Sequence, residues 1–306
     1  MKIGLAMGGG DKETPKQLVD RIVQAEAAGF PSVWLANIFS LDALTVLALA
    51  GERTKTVELG TAVVPTYPRH PHALAQQAAT VNAACGGRLA RGLGRSHQMV
   101  IENMFGIPYD KPITHMREYL TVVRDLTQKG SCAVDGKMYK VNASLSVSGS
   151  GPFPILIGAL MPKMLEVCGE LCDGTLTWMS GPVHIEKNIV PVLHDAAKRA
   201  GRPVPRVIAS LPLSITSDPD GAKAFAAKAF QIYGMLPVYR ACLDAEGAEG
   251  PADLALVGDE ATVRKGLERL AAAGATDFYG AIFPTPNDDS STKRTMDFLA
   301  SLGGRI

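Results

Sequence analysis

The hydrophobic residues of this chain form short continuous runs, each followed by a loop and then by a longer segment rich in alanine. Several runs are apolar throughout rather than at alternate positions, which is typical of parallel strands that helices cover on both faces. Strands that alternate with helices predict a parallel α/β architecture. The pattern predicts eight strands: Ile3–Met7, Ser32–Asn37, Val57–Val64, Arg88–Leu93, Pro154–Gly158, Gly174–Trp178, Arg206–Ile215 and Thr276–Phe283.

Helical segments lie between these strands, and their ends carry the expected signals. Thr14 and Pro15 make a good helix start, because a hydroxyl caps the first turn and proline suits the first helical position. Gly29, Gly86 and Gly274 each follow an Ala-rich stretch, where glycine adopts the left-handed conformation that ends a helix. The clearest helices are Thr14–Ala28, His72–Ala84, Thr114–Gln128, Pro162–Leu171, Pro182–Ala200 and Glu260–Ala273.

Two segments are longer than a simple strand–helix repeat. Ser131–Gly151, with Asp135-Gly136 as a turn, predicts a small hairpin inserted before the fifth strand. Ser217–Pro251 predicts a helical and loop excursion before the last unit. No low-complexity linker divides the 306 residues, and α/β barrels often have this length. We therefore expect one domain, residues 1–306, that forms a (β/α)8 TIM barrel with insertions.

Composition excludes several classes of protein. The chain is 46% hydrophobic and 20% charged, and its formal net charge is +1. A nucleic-acid or membrane surface would favour concentrated positive charge, and no apolar run approaches the roughly 18 residues that span a bilayer. The first residues hold too few apolar positions for a signal peptide, and the five cysteines are scattered. We expect a reduced, cytoplasmic protein that binds neither nucleic acid nor membrane.

The segment from Val57 to His97 carries the clearest functional signal. It predicts a strand, a loop, a helix and a second strand, which opens into Gly94-Arg95-Ser96-His97. In a parallel α/β barrel, the loops at the carboxyl ends of strands build the active site. These loops are therefore predicted to lie in the barrel mouth.

An ordered set of short motifs in this region and beyond resembles the bacterial luciferase-like superfamily, and within it the branch that uses the deazaflavin coenzyme F420. The set covers most of the chain and is more specific for the superfamily than for the cofactor. The motifs are Gly60–Val64, Arg69-His70-Pro71, Gly87-Arg88-Leu89, Gly92-Leu93-Gly94, Ser96-His97, Arg117–Leu120, Ile157–Ala159 and Gly169–Gly174.

The resemblance implies a barrel whose mouth holds a flavin-like ring. It implies a cis peptide at Ala62–Val63 behind that ring, and contacts from the loop with Gly94, Arg95 and Ser96. It places the cofactor phosphate at the loop of Gly158, Ala159, Leu160 and Met161. Pro162 in the first turn of the next helix independently favours an anion site at that helix N-terminus. A homodimer is also implied by the resemblance.

Hydride transfer needs stacked rings and little covalent participation by the protein, so no catalytic triad is expected. His97 is the best candidate for an acid or a ring-contacting group, although such a histidine often only anchors its loop. Asn37 ends the second strand and is a further catalytic candidate. Many members of the resembled family have a Glu-His pair there, whereas this chain has Asn37-Ile38, which weakens the assignment of an acid or base role to this strand. Glu13 is a possible proton donor, or simply a first-turn carboxylate that the helix dipole favours.

Several other residues have two readings. Tyr67 and Trp178 lie near predicted strand ends, so each could either line the pocket or pack in the core. Of the two, Trp178 is predicted to contact the cofactor. Cys168 and Cys172 are four apart on a helix, but no further ligands accompany them, so core packing is expected and no metal site. Gly8–Glu13 lacks a phosphate-loop pattern and is predicted to be a flexible mouth loop.

The sequence thus predicts an oxidoreductase that transfers a hydride between coenzyme F420 and a small organic substrate with an activated C=C, C=N or carbonyl group. One alternative is an FMN-dependent monooxygenase on the same barrel. Another is a flavin- or deazaflavin-binding protein without turnover. Fold analogy alone does not separate these hypotheses.

Overall fold

The computed structural model describes residues 1–8 and 13–306, and its strands form one closed barrel. The strands are β1 (Lys2–Met7), β2 (Ser32–Leu35), β3 (Glu58–Thr61), β4 (Val64–Pro65), β5 (Leu89–Gly94), β6 (Ser131–Asp135), β7 (Lys140–Ser144), β8 (Ile155–Gly158), β9 (Gly174–Leu176), β10 (Arg206–Ala209), β11 (Pro212–Ile215), β12 (Leu256–Gly258) and β13 (Asp277–Ile282). Eight of them pair in parallel in the order β1-β2-β3-β5-β8-β9-β10-β13, and β13 pairs with β1. This closure confirms the predicted (β/α)8 barrel.

The helices surround this barrel and follow the predicted order. Two π-helical segments (Met99–Met104 and Ile185–Ile189) and a 3-10 turn (Pro251–Leu254) accompany them. The α-helices are α1 (Pro15–Ala27), α2 (Ala43–Gly51), α3 (Pro71–Ala84), α4 (Pro112–Lys129), α5 (Pro162–Leu171), α6 (Pro182–His184), α7 (Val190–Arg199), α8 (Pro219–Ala229), α9 (Gln231–Met235), α10 (Pro237–Glu246), α11 (Glu260–Ala272) and α12 (Ser291–Ser301).

Three of the predicted elements are interrupted, and prolines account for two of the breaks. The seventh predicted strand divides into β10 and β11 because Pro212 has no N–H to continue the ladder. The predicted helix Pro182–Ala200 contains a π-helical segment just before Pro191, which cannot donate within the helix. The third strand stops at Thr61 and resumes as β4.

The predicted insertion before the fifth barrel strand is a hairpin of β6 and β7, which confirms that element. Its turn spans residues 136–139 rather than a tight Asp-Gly pair. The Glu118 carboxylate on α4 accepts hydrogen bonds from the backbone amides of Lys137, Met138 and Tyr139 at 2.7–2.9 Å. The hairpin is therefore fastened to the helix layer.

The barrel interior is filled by a small apolar cluster that ends below the mouth. Its members are Trp34, Ala90, Leu156, Leu176, Ile208 and Tyr279. Gly60 leaves the space for the Trp34 ring, because a Cβ atom there would lie 2.2 Å from Trp34 Cε3. Filling of the interior places any ligand at the mouth rather than within the barrel. Among the described residues, no helix has the length and hydropathy needed to span a membrane.

Candidate active site

A cavity of about 720 Å³ opens at the carboxyl ends of the strands. The loops after β3, β5, β8 and β9 contribute to it, together with Tyr279 of β13 and the segment from Met235 to Tyr239, where α9 ends and α10 begins. Its described lining consists of Ala62, Val63, Gly94, Arg95, Ser96, His97, Gln98, Met99, Glu102, Asn103, Tyr109, Gly158, Leu160, Met161, Met164, Leu176, Thr177, Trp178, Met235, Leu236, Pro237, Val238, Tyr239 and Tyr279. Ten of the thirteen residues that the sequence assigned to a site are in this set.

The peptide bond between Ala62 and Val63 is cis, as the family resemblance implied. It lies in the gap between β3 and β4 and gives Val63 a position on the cavity wall. Gly94 and Gly158 flank the Val63 side chain: a Cβ atom on Gly94 would lie 2.3 Å from Val63 Cγ2, and one on Gly158 would lie 3.9 Å from Val63 Cγ1. The ends of three neighbouring strands thus form one smooth wall.

The loop from Gly158 to Met161 leads into the N-terminus of α5. Pro162 occupies the first turn, and within the described part of the chain the Met161 side chain makes no capping hydrogen bond. Amide donors at a helix start that side chains leave uncapped favour an anion. Gly158, Leu160 and Met161 line the cavity, so an anionic group bound in the cavity can reach this helix end.

Two buried side chains hold this loop in place. The Thr175 hydroxyl accepts from the amide of Ala159 at 3.2 Å and donates to its carbonyl oxygen at 2.8 Å. His184 Nε2 lies 3.1 Å from the carbonyl oxygen of Leu160, and Asn188 donates to His184 Nδ1 at 3.2 Å. Burial lowers the pKa of His184, so the ring is neutral and carries its proton on Nε2.

The loop after β5 brings Arg95, Ser96 and His97 to the cavity. Ser96 has a φ of 59°, a conformation that residues other than glycine rarely adopt and that is frequent at functional sites. Arg95 forms no ion pair with any residue that the structure describes. Burial, and then the charge of Arg95, lower the pKa of His97, so its ring is neutral near pH 7.

Aromatic rings line another part of the cavity. Trp178 packs edge-to-face against Phe230 and Tyr233, with ring centroids 5.9 and 5.6 Å apart. The ring centroid of Tyr239 lies 5.2 Å from that of Tyr233 and 5.6 Å from that of His97. Contacts of this kind fix the orientation of the rings that face the cavity.

Three predicted site residues are outside this described lining. Ala159 is buried, and its amide is engaged by Thr175. Asn37 Oδ1 accepts from the amide of Ala43 at 3.0 Å, at the start of α2. Glu13 pairs with Arg21 at 2.8 Å. Their roles remain predictions, and the mouth loop predicted at Gly8–Glu13 is described only at its two ends, because residues 9–12 are outside the described residues.

Tyr67 and the RHP motif have the surroundings of structural residues. Tyr67 stacks on His115 at 3.9 Å and on Tyr109 at 4.8 Å, so it supports the cavity wall from behind. Arg69 pairs with Asp42, and the His70 side chain caps α3. Cys168 and Cys172 are both fully buried in the core, as expected for packing residues.

The sequence did not indicate several residues that line or support the site. Tyr279 belongs to the last strand and reaches the cavity through the barrel interior. Met235 to Tyr239 come from the long excursion after β11, whose position no local pattern determines. His184 was not predicted because it lies on α6, distant in sequence from the Gly158–Met161 loop that it contacts through Leu160 O. Tyr279 had no signal of a mouth position, because it lies in the middle of the predicted strand Thr276–Phe283 rather than at its end.

A parallel barrel with a ligand-sized cavity at the carboxyl ends of its strands is an enzyme-like scaffold. Residues 2–277 match the model of the luciferase-like monooxygenase family, so the chain belongs to this family.

Individual relatives agree with the family match. The chain is 34% identical over 208 residues to 5,10-methylenetetrahydromethanopterin reductase of Archaeoglobus fulgidus, an alignment that covers 65% of this chain and 60% of the relative. The chain thus spans 56–61% of the length of the first curated relatives that it matches.

Solved structures extend the likeness to the whole fold. The coenzyme F420 dependent tetrahydromethanopterin reductase of Methanopyrus kandleri superposes with a TM-score of 0.81 at 25% identity, covering 100% of this chain and 98% of that one. The oxygenating constituent of 3,6-diketocamphane monooxygenase of Pseudomonas putida, in complex with FMN, superposes with a TM-score of 0.76 at 18% identity over 99% and 98% of the two chains. The second likeness concerns the fold alone.

Proposed function

We propose that this chain is an oxidoreductase that transfers a hydride between coenzyme F420 and an organic substrate with an activated C=C, C=N or carbonyl group. The observation that carries the proposal is that a wall of small strand-end residues and an uncapped helix start face the same cavity. Val63 and Gly94 form the wall, and Met161 and Pro162 form the helix start. The description of the Methanopyrus kandleri relative as coenzyme F420 dependent supports the choice of cofactor.

The residues present fit such a cofactor. A Cβ atom at Gly158 would meet Val63 only at 3.9 Å and Leu93 O at 4.0 Å, so a ligand has free space beside this glycine. The N-terminus of α5 would hold the phosphate, and Arg95 would hold the acidic tail or the phosphate as a counter-charge. Gly94 and Ser96 would contact the ring or its side chain, and Trp178 would flank it.

When bound, coenzyme F420 supplies a hydride donor or acceptor at its central ring carbon. The protein orients the reactants and excludes water. Val63 backs one side of the cavity, and the rings of Trp178 and Tyr239 cover another part of it. The neutral His97 ring can donate a hydrogen bond to the substrate from one nitrogen, and it can transfer a proton only after the ring itself has been protonated. Asn37 and Glu13 remain candidate polar groups near the mouth.

Direct titration tests this proposal. Oxidised coenzyme F420 and, separately, FMN are added to the protein while the fluorescence of each ligand is followed. We expect micromolar affinity for coenzyme F420, and we expect Gly158→Asp to weaken it by crowding the loop and repelling phosphate. Gly151→Asp is the matched control, because a Cβ there meets no described atom within 4 Å and Gly151 does not line the cavity. Unchanged affinity in Gly158→Asp would refute the anion site.

The same titration separates the alternatives. Micromolar affinity for FMN with none for coenzyme F420 would favour a flavin monooxygenase, the activity after which the family is named. Binding of coenzyme F420 without reoxidation of its reduced form by any enone, imine or ketone would favour a binding protein without turnover.

A homodimer through the outer face of α2 and α3 is the assembly that we propose. Residues 43–51 and 71–84 include no Asp, Glu, Lys or Arg, and Leu49 on α2 is 50% exposed. An uncharged face of this kind is typical of homodimer contacts. Light scattering of the wild type and of Leu49→Lys tests it: the wild type should have twice the mass of one chain and the variant should dissociate. A monomeric wild type would contradict the proposal.

A reducing, cytoplasmic location is also proposed. All five cysteines are free and buried thiols. Secreted proteins of the same cysteine content commonly use disulfides, so free thiols support the proposal. Fractionation of the producing cells would test it.

A further inference from the structure

The cavity has two walls of different chemical character. One wall is formed by Val63, Gly94 and Gly158 at the ends of three neighbouring strands. The other is formed by Trp178 after β9 and by the segment from Met235 to Tyr239. In the closed strand order β9 is separated from β3 by β5 and β8, so the second wall begins away from the cis peptide.

The second wall is aromatic and apolar. Ring contacts run from His97 to Tyr239, from Tyr239 to Tyr233 and from Tyr233 to Trp178, with centroids 5.2–5.6 Å apart. Burial raises the pKa of Tyr239, so its hydroxyl stays neutral at any physiological pH. Met235 adds a flexible, polarisable side chain at the rim, which adapts to ligands of different shape.

Charged side chains are confined to one side of the cavity. Among the described lining residues, Arg95 and Glu102 are the only ones of the types Asp, Glu, Lys or Arg. Both follow β5 in the chain. The Glu102 carboxylate already accepts from the amide of Tyr109 at 3.2 Å and from Gln98 Nε2 at 2.9 Å. A charged substrate against the second wall would therefore be buried without a counter-charge, which disfavours its binding.

We infer that the wall of Trp178, Met235 and Tyr239 is the substrate subsite, and that it accepts an uncharged molecule with a flat alicyclic or aromatic body. The carbonyl or C=C group of such a molecule points away from the apolar wall and into the remaining space of the cavity. This inference rests on the proposed function, because it names the substrate class of the same site. It excludes phosphorylated and carboxylated substrates that present their charge to this wall.

Tryptophan fluorescence provides a direct test that needs no turnover. The chain has two tryptophans: Trp178 lines the cavity, and Trp34 is 1% exposed inside the barrel. We titrate cyclohex-2-enone and, as its charged partner, 4-oxocyclohex-2-ene-1-carboxylate, and follow quenching of the emission. The uncharged enone should bind at least about tenfold more tightly, and the signal should disappear in Trp178→Phe. Equal or tighter binding of the carboxylate, or no binding of the enone, would overturn the inference.

A pair of variants on one helix locates the subsite. Met235 and Ile232 both lie on α9 and are 66% and 45% exposed, but only Met235 belongs to the described cavity lining. Met235→Glu should weaken binding of cyclohex-2-enone by about tenfold, because it removes an apolar contact with the ligand at the cavity rim, whereas Ile232→Glu should leave it unchanged. Equal effects of the two variants, or no effect of Met235→Glu, would count against the subsite.

Titration with coenzyme F420 separates this inference from the proposed function. Ile232→Glu should bind the cofactor as the wild type does, because Ile232 does not belong to the described cavity lining. If coenzyme F420 fails to bind while the enone still quenches Trp178, the proposed function is wrong and the uncharged subsite stands. If coenzyme F420 binds and the enone does not, the subsite is wrong and the proposed function stands.

Discussion

Val63 and Gly94 pack so closely that a Cβ atom on Gly94 would lie 2.3 Å from Val63 Cγ2. The same side chain leaves Gly158 free, because a Cβ there would approach Val63 Cγ1 only to 3.9 Å. Gly94 is therefore required by the packing of the protein itself, whereas Gly158 leaves space that a ligand can fill. The same substitution at the two positions can therefore separate an effect on stability from an effect on ligand binding.

Gly94→Ala should lower the free energy of unfolding by about 1–3 kcal/mol, because an added methyl group must displace the wall around Val63. Gly158→Ala should change it by less than about 0.5 kcal/mol and should instead weaken binding of coenzyme F420. Urea unfolding and ligand titration of both variants give the two quantities. Equal loss of stability in both variants would contradict the packing argument. Unchanged affinity in Gly158→Ala would contradict the cofactor assignment.

His184 should control cofactor affinity although it does not line the cavity. It donates to Leu160 O, which belongs to the loop proposed to hold the phosphate. Removal of a buried donor leaves the carbonyl oxygen unpaired, at a cost of about 1–3 kcal/mol, and frees the loop to turn. His184→Leu should weaken binding of coenzyme F420 by about tenfold, measured well below the melting temperature, and His184→Gln, which keeps a donor, should restore most of it.

The conservative variant separates positioning from stability. If His184→Leu and His184→Gln melt at similar temperatures but bind the cofactor differently, the hydrogen bond to Leu160 positions the loop. Identical affinities in the two variants would show that His184 only fills space.

The sequence predicted those parts of the site that depend on local patterns. The wall with Val63, the loop after Gly94 and the start of α5 at Pro162 each follow a strand that is mostly buried, and their position at the barrel mouth follows from the topology of parallel strands. Family resemblance supplied the cis peptide. The position of these segments at the cavity could be predicted because a strand end and its loop contain that signal, whereas their roles toward a cofactor stay predictions.

The parts that the sequence did not predict depend on contacts between distant segments. Tyr239 reaches the cavity only because α10 packs beside the loop after β9, and a helix amphipathic pattern does not specify its neighbour. The Ala159 amide appeared available for an anion, but Thr175, which is 16 residues away, accepts its hydrogen. Asn37 appeared to be free at the end of a strand, but its side chain holds the start of α2.

An ion cluster at the opposite end of the barrel should stabilise the fold without affecting the site. Arg206 donates to both oxygens of Glu58 at 2.8 and 3.0 Å and to both oxygens of Asp277 at 2.7 and 3.1 Å. It therefore joins three barrel strands. Arg206→Met leaves two carboxylates facing each other and should lower the free energy of unfolding by about 3 kcal/mol.

Removal of the two carboxylates should reverse much of this loss. The triple variant Arg206→Met, Glu58→Gln and Asp277→Asn contains no unpaired charge at the cluster and should be more stable than Arg206→Met alone. Both variants should bind coenzyme F420 as the wild type does. Urea unfolding measures the free energy of unfolding of each variant. If the value for Arg206→Met lies within about 0.5 kcal/mol of the wild-type value, solvent screens the cluster and the prediction is wrong.

Stability should fall between pH 6.5 and pH 4 because of buried histidine, and His115 should account for most of the fall. His115 is 1% exposed, Thr66 lies 2.8 Å from its Nε2, and burial lowers its pKa to about 4. The unfolded chain binds a proton near pH 6.5, before the folded chain does, so stability is lost as the pH falls from 6.5 to 4 and is fully present above 6.5. This lowering of the pKa of His115 corresponds to a loss of about 3 kcal/mol in the free energy of unfolding between pH 6.5 and pH 4.

His115→Phe keeps the ring stacked on Tyr67 but removes the titrating group. It should be less stable than the wild type at pH 7, because the partners of the imidazole lose their hydrogen bonds. Its free energy of unfolding should nevertheless depend much less on pH between 6.5 and 4.5. His194→Gln, on the outer helix α7, should keep the wild-type slope. Since the carboxylates titrate mainly below this window, equal slopes in His115→Phe and the wild type would show that His115 is already protonated in the folded chain.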